Sequence, residues 1–264
     1  MNFDMKKRTA VLGAILSLIP LCQPLFIKTG IVLFSGAFII SVPQKALADS
    51  AEFYNRRGIS KRNSGDYYGA ISDYTKAIEI NLNYADAYHN RGVVKELLED
   101  YKGALKDYEK ALKIDPDFYL TWQGVGLTKK KLGDYYGAIS AYNKSIEINS
   151  RNEVAYNNRG NAKFNLGDYY GAISDYTKAI EIKSNYAMAF YNRGNVKDDL
   201  KDYYGAIADY TKAIKINPNF AKSYSNRGIS KKNIGDLKGA CSDWRKAVSL
   251  SPSTKSANGV RYQC

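Results

Sequence analysis

The sequence predicts an all-α solenoid, and three observations carry that reading. Glycine recurs every 34 residues, at Gly58, Gly92, Gly126, Gly160, Gly194 and Gly228. Gly-Ala pairs beginning at Gly69, Gly103, Gly137, Gly171, Gly205 and Gly239 keep the same spacing. Apolar residues inside each period recur at helical intervals rather than in alternation. Six units fill residues 51–254, as 51–84, 85–118, 119–152, 153–186, 187–220 and 221–254, and a tail of 255–264 follows. Hairpins this small cannot bury their apolar faces singly, so they stack.

The N-terminal 48 residues are different material. Lys6, Lys7 and Arg8 precede an apolar run over 10–27, broken by Pro20, Gln23 and Pro24. A second apolar run, 31–42, leads to Ala46-Leu47-Ala48. The pattern reads as a secretory signal cleaved after Ala48, with an uncleaved membrane anchor through residues 9–42 as the alternative. Cys22 lies in a poor lipobox, which argues against a lipoprotein. The chain carries a net charge of +13, of which the leader holds +4. Export leaves Cys241 and Cys264 as an even pair in an oxidising compartment.

Each unit then reads as two helices. In the fourth, 154–166 lacks proline and ends at Gly167, suited to a left-handed stop. Asp168 caps the second helix, 170–182, whose Ala172, Tyr176, Ala179 and Ile180 form one stripe. Pro116, Pro218 and Pro252 close units two, five and six. Counting from the first residue of each unit, glycine at position 8 and alanine at 20 let the helices approach closely. Aromatics at position 4 (Tyr54, Tyr88, Trp122, Tyr156, Phe190, Tyr224) fill one flank. Those at position 24 (Tyr74, Tyr108, Tyr142, Tyr176, Tyr210, Trp244) fill the other.

With these residues and alanine at position 27, where only Ser145 departs, the chain resembles the tetratricopeptide repeat (TPR) family. The resemblance covers residues 51–254. It implies a right-handed α-solenoid of six helix-turn-helix repeats with a C-terminal capping tail. It also implies that the first helices line a concave groove for peptides or proteins. One position departs from the family. Leucine is usual at position 7, but Arg57, Arg91, Arg159, Arg193 and Arg227 stand there. Position 23 carries Asp73, Asp107, Asp175, Asp209 and Asp243, and only the third unit replaces both, with Val125 and Ala141. Joint loss predicts a desolvated Arg–Asp pair within each repeat, with shared ancestry of the repeats as the alternative.

Family geometry puts positions 2, 5, 6, 9, 12 and 13 on the groove, where cations and anions nearly balance. Lysine fills position 26 (Lys76 to Lys246) and position 11 (Lys61 to Lys231) of every unit. Both rows read as a solvated outer face, or more sharply as a surface for anionic lipid or an acidic partner. The groove itself offers amides. Asn90, Asn158, Asn192 and Asn226 stand at position 6, with Asn157, Asn161 and Asn195 beside them. With Lys222 these form the candidate peptide-binding set. The row looks like the asparagine ladder of superhelical members of the family that hold extended peptides. The alternative is that the amides bond between units. Gly124 interrupts the row. A family clamp for a terminal carboxylate is matched at only three of five positions among Asn157, Asn161, Asn192, Lys222 and Asn226, and its missing cations argue against it.

The chain's ending resembles the last unit of many bacterial members, and a tail helix would cover the final repeat. Cys241 lies where a returning tail could bring Cys264, so a disulfide and two buried thiols both stay open. Catalysis finds little support. His89, the only histidine, reads as a polar groove residue rather than a base, and no phosphate loop occurs. Asp198 and Asp199 point apart on a helix. The expectation is therefore a non-catalytic scaffold without cofactor, metal or nucleic acid, binding an extended peptide or partner protein. The alternative is a membrane-associated adaptor or assembly factor for an envelope or photosynthetic complex, acting through its lysine-rich outer surface.

Overall fold

A computed structural model describes residues 29–33, 39–43, 50–252 and 254–264. From residue 50 onward the chain is an all-α helical repeat solenoid. The first three helix pairs are α1 (Ala51–Asn63) with α2 (Tyr67–Ile80), α3 (Ala85–Leu97) with α4 (Tyr101–Ile114), and α5 (Tyr119–Lys131) with α6 (Tyr135–Ile148). Then come α7 (Glu153–Asn165) with α8 (Tyr169–Ile182), α9 (Ala187–Asp199) with α10 (Tyr203–Ile216), and α11 (Ala221–Asn233) with α12 (Leu237–Leu250). A last helix, α13 (Thr254–Gln263), packs on α12.

Ahead of the helices, β1 (Thr29–Leu33) pairs antiparallel with β2 (Ile39–Pro43), placing Ile31 opposite Ser41. Residues 31–33 and 39–42 of the second apolar run thus lie in paired strands, in keeping with their β-branched content. The rest of 1–48, and with it cleavage after Ala48 and the 9–42 anchor, lies outside the described residues. Among the described residues no helix is long and apolar enough to cross a membrane.

Local chemistry sets the helix ends. Asp66, Asp100, Asp134, Asp168, Asp202 and Asp236 each cap a second helix, accepting from the N–H of a glycine three residues on. The turn before each cap needs a left-handed residue. Gly65, Gly133, Gly167 and Gly235 supply it in four units, while Glu99 and Lys201 adopt φ of 61° and 63° in the other two. Both helices of the fourth unit start and the first also ends one residue earlier than the sequence reading placed them.

Inside each pair the position-24 ring lies on the bare backbone of the position-8 glycine. A Cβ on Gly160 would stand 2.8 Å from Cε1 of Tyr176, and one on Gly228 would stand 2.5 Å from Nε1 of Trp244. No such contact is tolerated, so alanine there forces the helices apart. The position-20 alanines, from Ala70 to Ala240, are fully buried beside these rings.

Around that seat sits an ionic cluster. Arg159 grips buried Asp175 with two parallel bonds, Nε to Oδ2 at 2.9 Å and Nη2 to Oδ1 at 2.6 Å. The same fork joins Arg57 to Asp73, Arg91 to Asp107, Arg193 to Asp209 and Arg227 to Asp243. The position-11 lysines overturn the outer-face reading: Lys61, Lys95, Lys163, Lys197 and Lys231 all pair with that same aspartate, at 2.8–3.0 Å. Position 11 lies one turn beyond position 7, so both cations face the same carboxylate. Burial alone would raise the Asp73 carboxyl, but hydrogen bonds from Arg57 and Lys61 outweigh it and hold the group below its ordinary range.

Four of the five arginines also reach into the preceding unit. Nη1 of Arg91, Arg193 and Arg227 donates to Thr75, Thr177 and Thr211, and that of Arg159 to Asn143. Their guanidinium groups lie 5.3–5.6 Å from the position-4 rings of Tyr88, Tyr156, Phe190 and Tyr224. Arg57 has no preceding unit and is correspondingly more open, 41% exposed against 15–18% for the others. In the third unit Val125 and Ala141 fill the space as apolar core, beside Tyr108 and Trp122. Lys129, without its aspartate, pairs with the cap Asp134 at 3.4 Å instead.

Asp175→Ala should strand two cations and lower unfolding stability by about 3–5 kcal/mol. The double change Arg159→Val/Asp175→Ala, which copies unit three, should lose far less. Urea denaturation of the two variants checks this; equal losses would mean that the cluster is not a unit.

Candidate peptide-binding groove

Successive first helices (α1, α3, α5, α7, α9, α11) approach one another directly, while each second helix meets the next unit through that unit's first helix. The first helices therefore form the inner side of the curve, and their inward side chains line a groove. Positions 5 and 34 close its floor between units. Asn55 donates to Tyr84 OH at 3.2 Å, and Asn152 donates to Gln123 at 3.0 Å. Where position 34 is phenylalanine, position 5 is a ring: His89 lies 4.8 Å from Phe118, and Tyr191 lies 4.9 Å from Phe220.

This explains His89. Its Nδ1 sits 2.9 Å from Thr121 Oγ1, and its ring also meets Tyr108 at 5.7 Å. Burial, with help from Arg62, pushes its pKa down to about 4. The ring is a packing wedge equivalent to Tyr191, neutral near pH 7.

Positions 9 and 24 decide the amide pattern. Asn161 accepts from Tyr176 OH at 2.8 Å, and Asn195 from Tyr210 OH at 2.9 Å. In units one to three position 9 is Ile59, Val93 or Leu127, which cannot accept. Among the described residues, Tyr74 OH and Tyr142 OH are then buried without a partner. Tyr108 OH instead reaches Glu96 at 3.2 Å, which also accepts from Thr128 at 3.1 Å. Gly124 makes that reach possible, since a Cβ there would stand 2.8 Å from Cζ of Tyr108. The break in the asparagine row is thus a consequence of one tyrosine's route. Burial raises the Glu96 pKa, opposed by those two hydrogen bonds, and burial beside Lys131 lowers that of Lys130.

The predicted set separates accordingly. Asn157 is buried, accepts from Asn192 Nδ2 at 2.9 Å and belongs to the floor rather than the open groove. Asn90 donates to Asn55 at 3.0 Å, two units away from the others. Asn226 donates to Asn195 at 2.9 Å and to Tyr191 OH at 3.3 Å. These bonds fix which end of each amide is left over. Asn161 and Asn195, held by their oxygens, keep N–H donors; Asn192 and Asn226, held by their nitrogens, keep carbonyl acceptors. Asn158 is half-buried and its oxygen accepts a long bond from Asn157 at 3.5 Å, and Lys222 stands exposed at the rim. Sequence reasoning missed Tyr176 and Tyr210, although their pairing with asparagine at position 9 in units four and five alone was visible.

The open end is closed by α13. Cys241 and Cys264 are joined in a disulfide, with Cα atoms 5.6 Å apart. Gly259 lies against Trp244, where a Cβ would meet Cδ2 at 2.6 Å, and Ser256 donates to Ser225 at 2.9 Å. The tail helix therefore occupies the place of a seventh first helix.

Comparison with known proteins agrees with this architecture. The family profile of the tetratricopeptide repeat matches residues 85–118, 154–186 and 187–220, and a second TPR-repeat profile matches 60–98 and 126–167. Together they cover more than half of the chain, which belongs to the tetratricopeptide repeat family. No curated protein matches it. Among solved structures, MamA is 28% identical over 68% of this chain and 96% of its own, with a TM-score of 0.57. YrrB, described as a TPR protein with an unusual peptide-binding site, is 21% identical over 71% and 97%, with a TM-score of 0.57. The Cut9–Hcn1 assembly of the APC/C aligns over 82% of this chain with a TM-score of 0.70 and 16% identity. There the present chain spans 44% of the matched one.

Because His89 is held neutral, the unfolded chain takes up its proton near pH 6.5 and the fold only near pH 4. Stability should thus fall as pH drops through that window, and His89→Asn, the residue of units one and four, should flatten the slope. Thermal melts from pH 7 to 4 measure it. Separately, Cys264→Ser opens a ~24-residue loop and should cost roughly 3 kcal/mol in denaturant titration.

Proposed function

We propose that the protein is a non-catalytic scaffold that holds an extended polypeptide across the groove of units four to six. TPR proteins bind protein or peptide partners, and an interaction scaffold is what this fold supports. The observation that carries the finer reading is the fixed polarity of the amides. Donors on Asn161 and Asn195 alternate with acceptors on Asn192 and Asn226. An extended backbone presents the complementary alternation of C=O and N–H, whatever its side chains. Asn158, whose oxygen only accepts a long bond from Asn157, adds an amide donor, and Lys222 a cation at the rim.

Export, with a leader or tether in residues 1–48, belongs to the same proposal, and the Cys241–Cys264 disulfide supports an oxidising compartment. The membrane-adaptor alternative has less support. Position-11 lysines turn inward, and at position 26 Lys144 and Lys178 are already paired with Glu147 and Glu181.

A library of unstructured peptides screened against the protein, followed by titration calorimetry of the best binder, tests the groove. Asn158→Ala/Asn161→Ala should weaken binding by about tenfold or more, at roughly 1 kcal/mol per hydrogen bond. Affinity should change little between low and moderate salt. A variant that binds as tightly as the wild type excludes the groove.

A further inference from the structure

The outer face of the second unit differs from every other outer face. Along α4, Lys106, Lys110 and Lys113 form an exposed stripe about 10 Å long. They line two adjoining clefts of about 640 and 600 Å³ on either side of Tyr88. The first is floored by Leu82, Tyr88 and Ile114.

Unit four has the same two clefts, built from the corresponding positions around Tyr156, at about 370 and 380 Å³. There Ser174 replaces Lys106, and Glu181 replaces Lys113 and claims Lys178 at 3.0 Å. Arg151, at its rim, is the cation left over. In unit two, by contrast, Asp107 is committed to Arg91 and Lys95, and Glu109 is the other carboxylate in the lining. Among the described residues, none of the three lysines makes an ion pair. Lys110 and Lys113 therefore border both clefts, the first with its aliphatic and aromatic floor, and Lys106 extends the row of ammonium groups into the second.

We propose that this notch is a second binding site, which takes an acidic polypeptide segment carrying an aliphatic side chain. Carboxylates would meet Lys106, Lys110 and Lys113, and the aliphatic group would sit on Leu82, Tyr88 and Ile114. A flat anionic membrane fits poorly. Glutamate at position 29 (Glu79, Glu147, Glu181) breaks the cationic row on units one, three and four, and unit five, with Lys212 and Lys215, has Ala208 in place of the third lysine, so the full row is confined to unit two.

The test uses a fluorescein-labelled peptide of glutamates around one leucine, read by anisotropy. Lys106→Ser/Lys113→Glu gives unit two the residues that unit four already folds with, and should weaken binding by at least about tenfold. Ser150→Leu/Ser174→Lys/Glu181→Lys, which gives unit four the floor and the lysines of unit two, should raise the stoichiometry from one to two. Asn158→Ala/Asn161→Ala should bind like the wild type, which separates this site from the groove. Three results would overturn the proposal: unchanged affinity after the unit-two exchange, loss of binding on the amide exchange instead, or binding to phosphatidylglycerol vesicles with none to the peptide.

Discussion

An aromatic ring lying on a glycine backbone sets the dimensions of this molecule. Tyr176 on Gly160, and its counterpart in each other unit, brings the two helices closer than any side chain at position 8 would allow. That separation places positions 7, 11 and 23 around one buried carboxylate, and it puts the tyrosine's hydroxyl at the groove. Outer glue and inner lining thus depend on one contact. In units four and five the ring also couples them, because its hydroxyl fixes the orientation of the position-9 groove amide.

The two faces of the repeat carry different duties. Between the paired helices, arginine, lysine and aspartate form a cluster that also reaches the preceding unit through Thr75, Asn143, Thr177 or Thr211. Toward the inside, neutral amides bond from unit to unit and leave one end free. The third unit breaks both patterns. It replaces the cluster with Val125 and Ala141, and Gly124 yields to Tyr108, so the groove changes there from amide to the ionic surroundings of Glu96 and Lys130.

Much of this was written in the repeat period. Spacing alone located the hairpins, the glycine seats and the Asp caps, because those depend on backbone geometry repeated six times. The Arg–Asp fork was legible from its joint absence at Val125 and Ala141. The lysine that completes it was misread, because a lysine in every unit looks like solvent-facing decoration until its one-turn offset from arginine is considered. Adjacent asparagines were harder. Asn157 and Asn158 are chemically identical in sequence, yet one is buried in the floor and its neighbour is half-buried and barely engaged. Only the partners, Asn192 for the first and none of comparable strength for the second, separate them. The charged notch of unit two is hidden in the repeat rows, since Lys106 and Lys113 stand where units one, three and four have serine and glutamate.

The most direct measurement is a side-chain amide spectrum of ¹⁵N-labelled protein during titration with a groove-binding peptide. The account predicts that the NH₂ signals of Asn158, Asn161 and Asn195 shift together, while those of exposed Asn83 and Asn219 stay in place. Saturating binding that leaves those three signals unmoved would contradict it.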